Sequence, residues 1–300
     1  MNIKQLYDAE PPRIGGNGMV GSRPRRRKRR GRVGGGASLP EAETVAYITG
    51  LTTPLSSGQV TLIDTLVKTL KTGLSITNLS DAFDAMWIFA GETEESSLKN
   101  LIKNSHHAVL AGATPPTFAA AEGFTGDGLT GYINTNYNPV TQGVNFTLNS
   151  NSYGVYSRTN ANSEGTSMGL RTSTSDYCHL TLFSAGSGSV TATRNCQVAP
   201  GSIAIALPTT AGLFISNRGT DASHDLFYNT AKVSQIAAST SLPSANFMIL
   251  CRNNNGAAES FNTRQISFAF TAKAVIQGDV DVITSVFETY MDALGKGVIA

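Results

Sequence analysis

The sequence predicts a mainly β protein, an antiparallel β-sandwich with flanking helices behind a basic N-terminal arm of the disordered type. Residues 1–40 hold ten of the 23 Lys and Arg residues and only two acids, which gives them a net charge of +8. Residues 41–300 carry a net charge of −6, so the cations are concentrated in the arm. After Pro115 the chain consists of short alternating apolar runs separated by turn residues, which is typical of an antiparallel sandwich.

The arm comprises residues 1–37, and its stretch from Pro11 to Gly36 is rich in Gly, Pro and Arg and nearly devoid of apolar residues. Such a segment buries too little surface to offset its ordering entropy. Cations that neutralise phosphates release the counterions bound there, so a dense run of cations favours binding to a polyanion. Any contact with a nucleic acid is expected to be with its backbone. A solvated tail or a nuclear localisation signal has the same composition. The candidate polyanion-binding residues are Arg23, Arg25, Arg26, Arg27, Lys28, Arg29, Arg30 and Arg32.

Residues 38–111 are predicted to form a helical segment that packs on the sandwich or precedes it. Apolar residues at spacings of three and four predict a helix over 57–71, and a short helix is expected to contain Tyr47. A further helix is predicted over 81–89, with Ser80 as its N-cap.

Residues 112–277 are predicted to form the sandwich, and residues 278–300 a C-terminal helix. This helix is expected to begin with Asp279 as its N-cap and to stop at Gly295. The predicted strands lie in the runs 143–148, 153–156, 177–183, 202–207, 212–216, 247–251 and 265–270.

Several loose motifs in this order resemble bacteriophage virion structural proteins with a concanavalin A-like (LamG-like) jelly roll. They are Ala46–Leu51 leading into Leu62–Lys71, Phe124–Thr135 followed by Asn138-Pro139, Tyr153–Thr159, and Tyr290–Lys296. The resemblance covers roughly residues 42–300 and excludes the Arg-rich arm. It implies a jelly-roll fold and a place in a virus particle.

Catalysis is not expected, because glycoside hydrolysis on such a fold needs two converging carboxylates. The Asp221–Asp225 segment contains Ser223 and His224 between two acids, but neighbours along a turn rarely form a triad, and a polar loop is expected there. No closely alternating acidic pair occurs among the seven acids of residues 112–277, which are Glu122, Asp127, Glu164, Asp176, Asp221, Asp225 and Glu259.

No cofactor, metal or small-molecule substrate is expected. His106 and His107 are adjacent and point in different directions, and Cys178-His179 lacks partners at ligand spacing. Three cysteines are too few for a disulfide framework and are expected to be buried thiols. No apolar run is long enough to cross a membrane.

The sequence therefore predicts a non-enzymatic virion protein associated with the head or capsid, made in the host cytoplasm. Its expected partners are nucleic acid through the arm, other virion proteins, and further copies of itself in a homo-oligomer. The alternative is a tail or fibre adhesion module that binds host-surface carbohydrate through loops of the jelly roll. Candidate loops are Asn-rich and lie at 134–138, 149–152 and 253–255.

Overall fold

Two β-sheets and a set of helices make up the part of the chain that the computed structural model describes, residues 39–174, 176–184, 190–198 and 202–300. The helices are α1 (Ala42–Ile48), α2 (Ser57–Gly73), α3 (Glu94–Leu98), α4 (Pro139–Gln142) and α5 (Gln277–Ala293). The strands are β1 (Phe83–Ile88), β2 (Val109–Ala111), β3 (Thr117–Ala119), β4 (Gly123–Thr125), β5 (Tyr132–Asn134), β6 (Asn151–Ser157), β7 (Met168–Arg171), β8 (Tyr177–Ser184), β9 (Val190–Gln197), β10 (Ile203–Ile205), β11 (Gly212–Arg218), β12 (Ser223–Tyr228), β13 (Ala231–Ile236), β14 (Met248–Ile249), β15 (Arg252–Asn254), β16 (Ala257–Glu259) and β17 (Gln265–Ala272).

The first sheet has the strand order β13-β12-β11-β6-β17-β4-β3, and β1 also pairs with β17. The second sheet has the order β10-β9-β8-β7-β14-β5-β2, and the β15–β16 hairpin joins it beside β7. The described pairings are antiparallel except for the short parallel pair of β15 and β7. The predicted mainly β sandwich with few helices is thus confirmed.

The first sheet is covered on both faces. On one face, Phe268 stacks on Phe287 of α5, with 4.3 Å between the ring centroids, and belongs to the core shared with α1 and α2. On the other face, Trp87 and Val155 pack against residues of the second sheet such as Leu180. Helices, first sheet and second sheet therefore form three layers.

Helices α2 and α5 pack together against the first sheet. The side-chain oxygen of Ser56 accepts a hydrogen bond from the Gln59 N–H, which caps α2 and confirms the helix predicted over 57–71.

The predicted N-cap of α5 is wrong, because the helix begins at Gln277 and Asp279 is its third residue. From there the Asp279 carboxylate accepts a hydrogen bond from the backbone N–H of Ile276 (3.1 Å). Gly295 ends the helix with a left-handed φ of 68°.

The helix predicted over 81–89 with Ser80 as its cap is wrong, because this segment contains strand β1. All six residues of β1 are buried, so its sequence shows no alternation from which a strand could be identified. The segment 38–111 thus contributes β1 to the first sheet and β2 to the second.

The run 143–148 is not a strand, contrary to the prediction. The backbone N–H groups of Val144, Asn145 and Phe146 donate to the buried carboxylate of Asp84 instead of to a neighbouring strand (2.9–3.1 Å). Asp84 also accepts a hydrogen bond from the Tyr137 hydroxyl (2.7 Å). One carboxylate on β1 therefore holds the loop after α4 in place.

The other predicted strand runs all contain strands, and the structure adds several that the sequence did not indicate. Among the additions is β12, which begins at Ser223 inside the segment 221–225 that was expected to be a loop. The three cysteines are buried free thiols, as predicted.

Replacing Asp84 by Asn is expected to lower the free energy of unfolding by about 3 kcal/mol, because the amide turns a donor toward buried N–H groups. Urea denaturation of the full-length protein measures this. Asp281→Asn, on the exposed side of α5, is the control and should change stability by less than about 0.5 kcal/mol. Equal stabilities of the two variants would contradict the role of Asp84.

His224 lies in the core between the sheets with no exposed surface, and burial together with the nearby Arg218 lowers its pKa to about 4. An unfolded histidine has a pKa of about 6.5. Protons therefore favour the unfolded chain below pH 6.5, and the free energy of unfolding falls as the pH drops from about 6.5 to about 4.

His224→Leu removes this titration. Between pH 7 and pH 5 the wild-type protein should lose about 2 kcal/mol more stability than the variant. Denaturation curves at both pH values provide the measurement. The readout is the change in the free energy of unfolding between the two pH values, compared between wild type and variant, so any pH-independent effect of the substitution cancels. Equal changes in the two proteins would rule out a neutral buried imidazole.

Candidate ligand-binding groove

The cationic stretch 23–32, predicted from its composition to bind a polyanion, lies outside the described residues. Its role stays a prediction. Within residues 39–174, 176–184, 190–198 and 202–300, no helix combines the length and the apolar composition that crossing a membrane requires.

A groove of about 400 Å³ lies on the outer face of the second sheet. Side chains alternate along β8, so Leu180 points into the core between the sheets while its neighbours point outward. Gly169 on β7 lies against His179, where a Cβ would come within 2.8 Å of the histidine Cβ. The outward side chains that form the floor are His179, Thr181, Phe183, Ala192 and Arg194.

Three guanidinium groups surround the ring of Tyr177 at one end of the groove. The Cζ atoms of Arg194, Arg171 and Arg252 lie 4.8, 4.9 and 5.5 Å from the ring centroid, within cation–π distance. The Oε1 atom of Glu259 lies 3.2 Å from Nη2 of Arg171 and 2.9 Å from Nε of Arg252. Glu259 thus neutralises part of the charge of this arginine cluster.

Strand register brings these residues together. Arg194 lies opposite His179 in the β8–β9 pair. Arg171, at the end of β7, lies opposite Asn254 in the parallel pair with β15, and its Nε donates to the Asn254 side chain (2.8 Å). Arg252 begins the same hairpin. The arginine cluster therefore depends on three different strands of one sheet.

Two polar atoms of the groove are buried without a hydrogen-bond partner in the described part of the chain, Nδ1 of His179 and Nε of Arg194. His179 is 8% exposed. Burial, and then the charges of Arg252, Arg194 and Arg171, place the pKa of His179 well below its usual value, so the imidazole is neutral. Burial likewise lowers the pKa of Arg194, and Arg252 and Arg171 lower it further. The groove therefore offers one neutral imidazole and one crowded guanidinium to a ligand.

A second cavity of about 240 Å³ shares Phe183 with the groove. Its polar lining includes Asn160, Asn162 and Thr209. Leu182 and Thr191, which alternate with the outward side chains of their strands, also line this cavity, so it is not a simple extension of the groove floor.

The candidate triad residues of 221–225 do not come together. Ser223 and His224 are neighbours on strand β12, so their side chains point to opposite faces of the first sheet. Asp225 accepts a hydrogen bond from Ser234 (2.6 Å) and lies 3.2 Å from Lys232. The expected polar loop is wrong for residues 223–225, but this geometry equally excludes a triad.

The adjacent histidines have structural partners. Nδ1 of His106 lies 3.0 Å from the Asn136 carbonyl oxygen, and Nδ1 of His107 accepts from the Asn100 N–H (3.1 Å). Across the described ranges, no three His, Cys, Asp or Glu side chains are grouped so that they could hold a metal ion.

Of the three Asn-rich segments proposed to bind carbohydrate, one borders the groove. It is 253–255, in the β15–β16 hairpin that carries Arg252 and Glu259. Residues 134–138 instead join β5 to α4, and Asn151 and Ser152 of 149–152 are buried in β6.

The sequence analysis did not predict the groove itself. The available signal was the alternation of Tyr177, His179 and Thr181 along a strand whose other face is apolar.

No family model and no curated protein matches this sequence. Among solved structures, the chain is similar to domain 4 of AbnA, a GH43 extracellular arabinanase from Geobacillus stearothermophilus, in complex with arabinotriose. The identity is 11%, the TM-score is 0.42, and the match covers 68% of this chain and 98% of that one.

A mutant of Trypanosoma rangeli sialidase with trans-sialidase activity is similar at 10% identity and a TM-score of 0.44, over 81% of this chain and 40% of the sialidase. The CBM40 of Ruminococcus gnavus IT-sialidase is similar at 11% identity and a TM-score of 0.33, over 46% of this chain and 83% of that domain. At these identities and TM-scores, the likenesses assign neither a family nor a ligand to this chain.

Proposed function

We propose that the protein is a non-enzymatic adhesion module that binds carbohydrate through the groove on the outer face of the second sheet. The observation that carries the proposal is the groove itself, a polar depression of about 400 Å³ on the sheet face that the helices leave uncovered. His179, Thr181 and Phe183 present ring and hydrogen-bonding surfaces there, a combination that suits the apolar faces and polar edges of sugar rings.

We also propose that the protein has no catalytic activity. Several acids of the sandwich serve structural roles. The Glu122 carboxylate lies 3.1 Å from Arg158, and Asp127 accepts hydrogen bonds from three backbone N–H groups of the turn 129–131. Those bonds hold the pKa of Asp127 far below its usual value, so it is not available as a general acid.

We place the module in a virus particle, with a concanavalin A-like jelly-roll topology, on the sequence resemblance over residues 42–300. The same resemblance motivates the expectation of other virion proteins and of further copies of this chain as partners.

Thr181→Trp should fill the groove and lower glycan binding at least about tenfold, since the indole occupies space that a sugar ring needs. A glycan array probed with the full-length protein measures this. The control is Gln235→Trp on the exposed strand β13, which adds the same ring elsewhere. If both variants bind as the wild type does, the groove is not the carbohydrate site.

The second candidate function is a head-associated protein whose arm binds the packaged genome or neighbouring subunits. The eight cations among the ten residues 23–32 favour this function. Seven of the eight are arginines, which bind phosphate by paired hydrogen bonds.

Deleting residues 23–32 should abolish retention of DNA by the full-length protein at low salt. For the intact arm, the logarithm of affinity should fall with the logarithm of salt at about −0.9 per phosphate neutralised. Filter binding across a salt series gives both quantities. Deleting residues 13–22 removes the same length with one cation and should leave retention intact. Retention that survives the first deletion would exclude the arm as the DNA contact.

A further inference from the structure

We propose that the groove selects an acidic sugar, whose carboxylate or sulfate oxygens are bound by the guanidinium of Arg194. This inference rests on the proposed carbohydrate-binding function and adds the class of ligand. The proposed ligand is a saccharide that carries an oxyanion, and Arg194 is the residue that would distinguish this ligand from a neutral sugar.

The charges in the groove are unequal. Three guanidinium groups surround Tyr177, while two carboxylates, Glu164 and Glu259, belong to the groove and its edge. Glu259 is held by Arg171 and Arg252 at 3.2 Å or less. No carboxylate in the described residues lies within ion-pair distance of Arg194. Arg194 therefore contributes an uncompensated charge next to two others of the same sign.

An anion would relieve an arrangement that is unfavourable in its empty state. Like charges near Arg194 repel it, and its Nε–H is buried without an acceptor in the described chain, which costs free energy. A carboxylate or sulfate accepts such N–H groups in pairs, and its charge offsets the repulsion. The site thus gains more from an anionic ligand than from a neutral one.

His179 supplies the sugar contact beside the anion site. Its strand position is opposite Arg194, and its Nδ1 is buried and unpartnered in the described residues. Because the ring is neutral, it neither adds to the positive charge nor competes for the anion, and it can hydrogen-bond to a hydroxyl. The pair therefore matches a sugar that carries an oxyanion next to a hydroxyl group.

The test compares matched sets of neutral, carboxylated and sulfated oligosaccharides of equal length on an array, followed by calorimetry with galactotriose and trigalacturonate. The full-length protein is used at about 0.15 M salt, where long-range attraction by the arm is screened. The variants are Arg194→Gln and Arg194→Lys. The matched control is Arg158→Gln, which removes a guanidinium paired with Glu122 outside the groove lining.

The wild type should bind acidic members at least about tenfold more tightly than their neutral counterparts, a difference that one charge-assisted contact supplies. Arg194→Gln should abolish this preference by weakening the binding of the acidic members at least about tenfold. Arg194→Lys should restore it only in part, because the planar pair of donors is lost. Arg158→Gln should leave the preference unchanged. A stronger response to the carboxylated or to the sulfated members identifies which oxyanion is bound.

Two outcomes would overturn the inference and separate it from the proposed function. Equal binding of acidic and neutral members leaves the carbohydrate function standing and removes the anion site. Equal loss of acidic binding in Arg194→Gln and Arg158→Gln assigns that binding to overall charge instead. Absence of binding to every member of the array overturns both proposals. Thermal unfolding of each variant shows whether it is folded.

Discussion

The architecture depends on covering both faces of the first sheet. Its central strands β6, β11 and β17 are buried almost throughout, with helices α2 and α5 on one side and the second sheet on the other. Burial on both faces contributes hydrophobic stabilisation and, in the described part of the chain, covers the central strands of that sheet on both sides. Helices α2 and α5 lie on the first sheet, and the groove lies on the outer face of the second.

Buried arginines fix the loops of this frame. Arg264 has no exposed surface, and it donates to the backbone carbonyl oxygens of Thr159, Ala161 and Ser163 at 2.9–3.2 Å. That segment leads directly into Glu164 and the neighbouring groove wall. A guanidinium provides enough donors to satisfy several carbonyl groups at once, which holds an irregular loop against the sheet. These hydrogen bonds therefore attach the groove wall to strand β17.

Burial on both faces did not by itself hide a strand, because β6, β11 and β17 are buried almost throughout and were predicted from apolar runs bounded by turn residues. Strand β1 was missed because Phe83, Met86 and Trp87 also fit the spacing of one helix face. Strand β13 was missed because it is an edge strand with mostly exposed, polar residues. The groove was not predictable because Arg171, Arg194 and Arg252 are far apart in sequence. Only the register of β7, β9 and the β15–β16 hairpin brings them together, and one of these pairings is parallel.

The two cationic features of the chain call for different ligands. The arm holds many charges in a row, so its attraction to a polyanion is additive and falls steeply with salt. The groove offers one uncompensated guanidinium in a body, residues 41–300, whose net charge is −6. The net negative charge of that body disfavours a long polyanion, whereas a single acidic sugar at the end of a glycan responds mainly to the local charge of the groove. The charge distribution is therefore consistent with the two proposals, a polymer at the arm and a single acidic sugar at the groove.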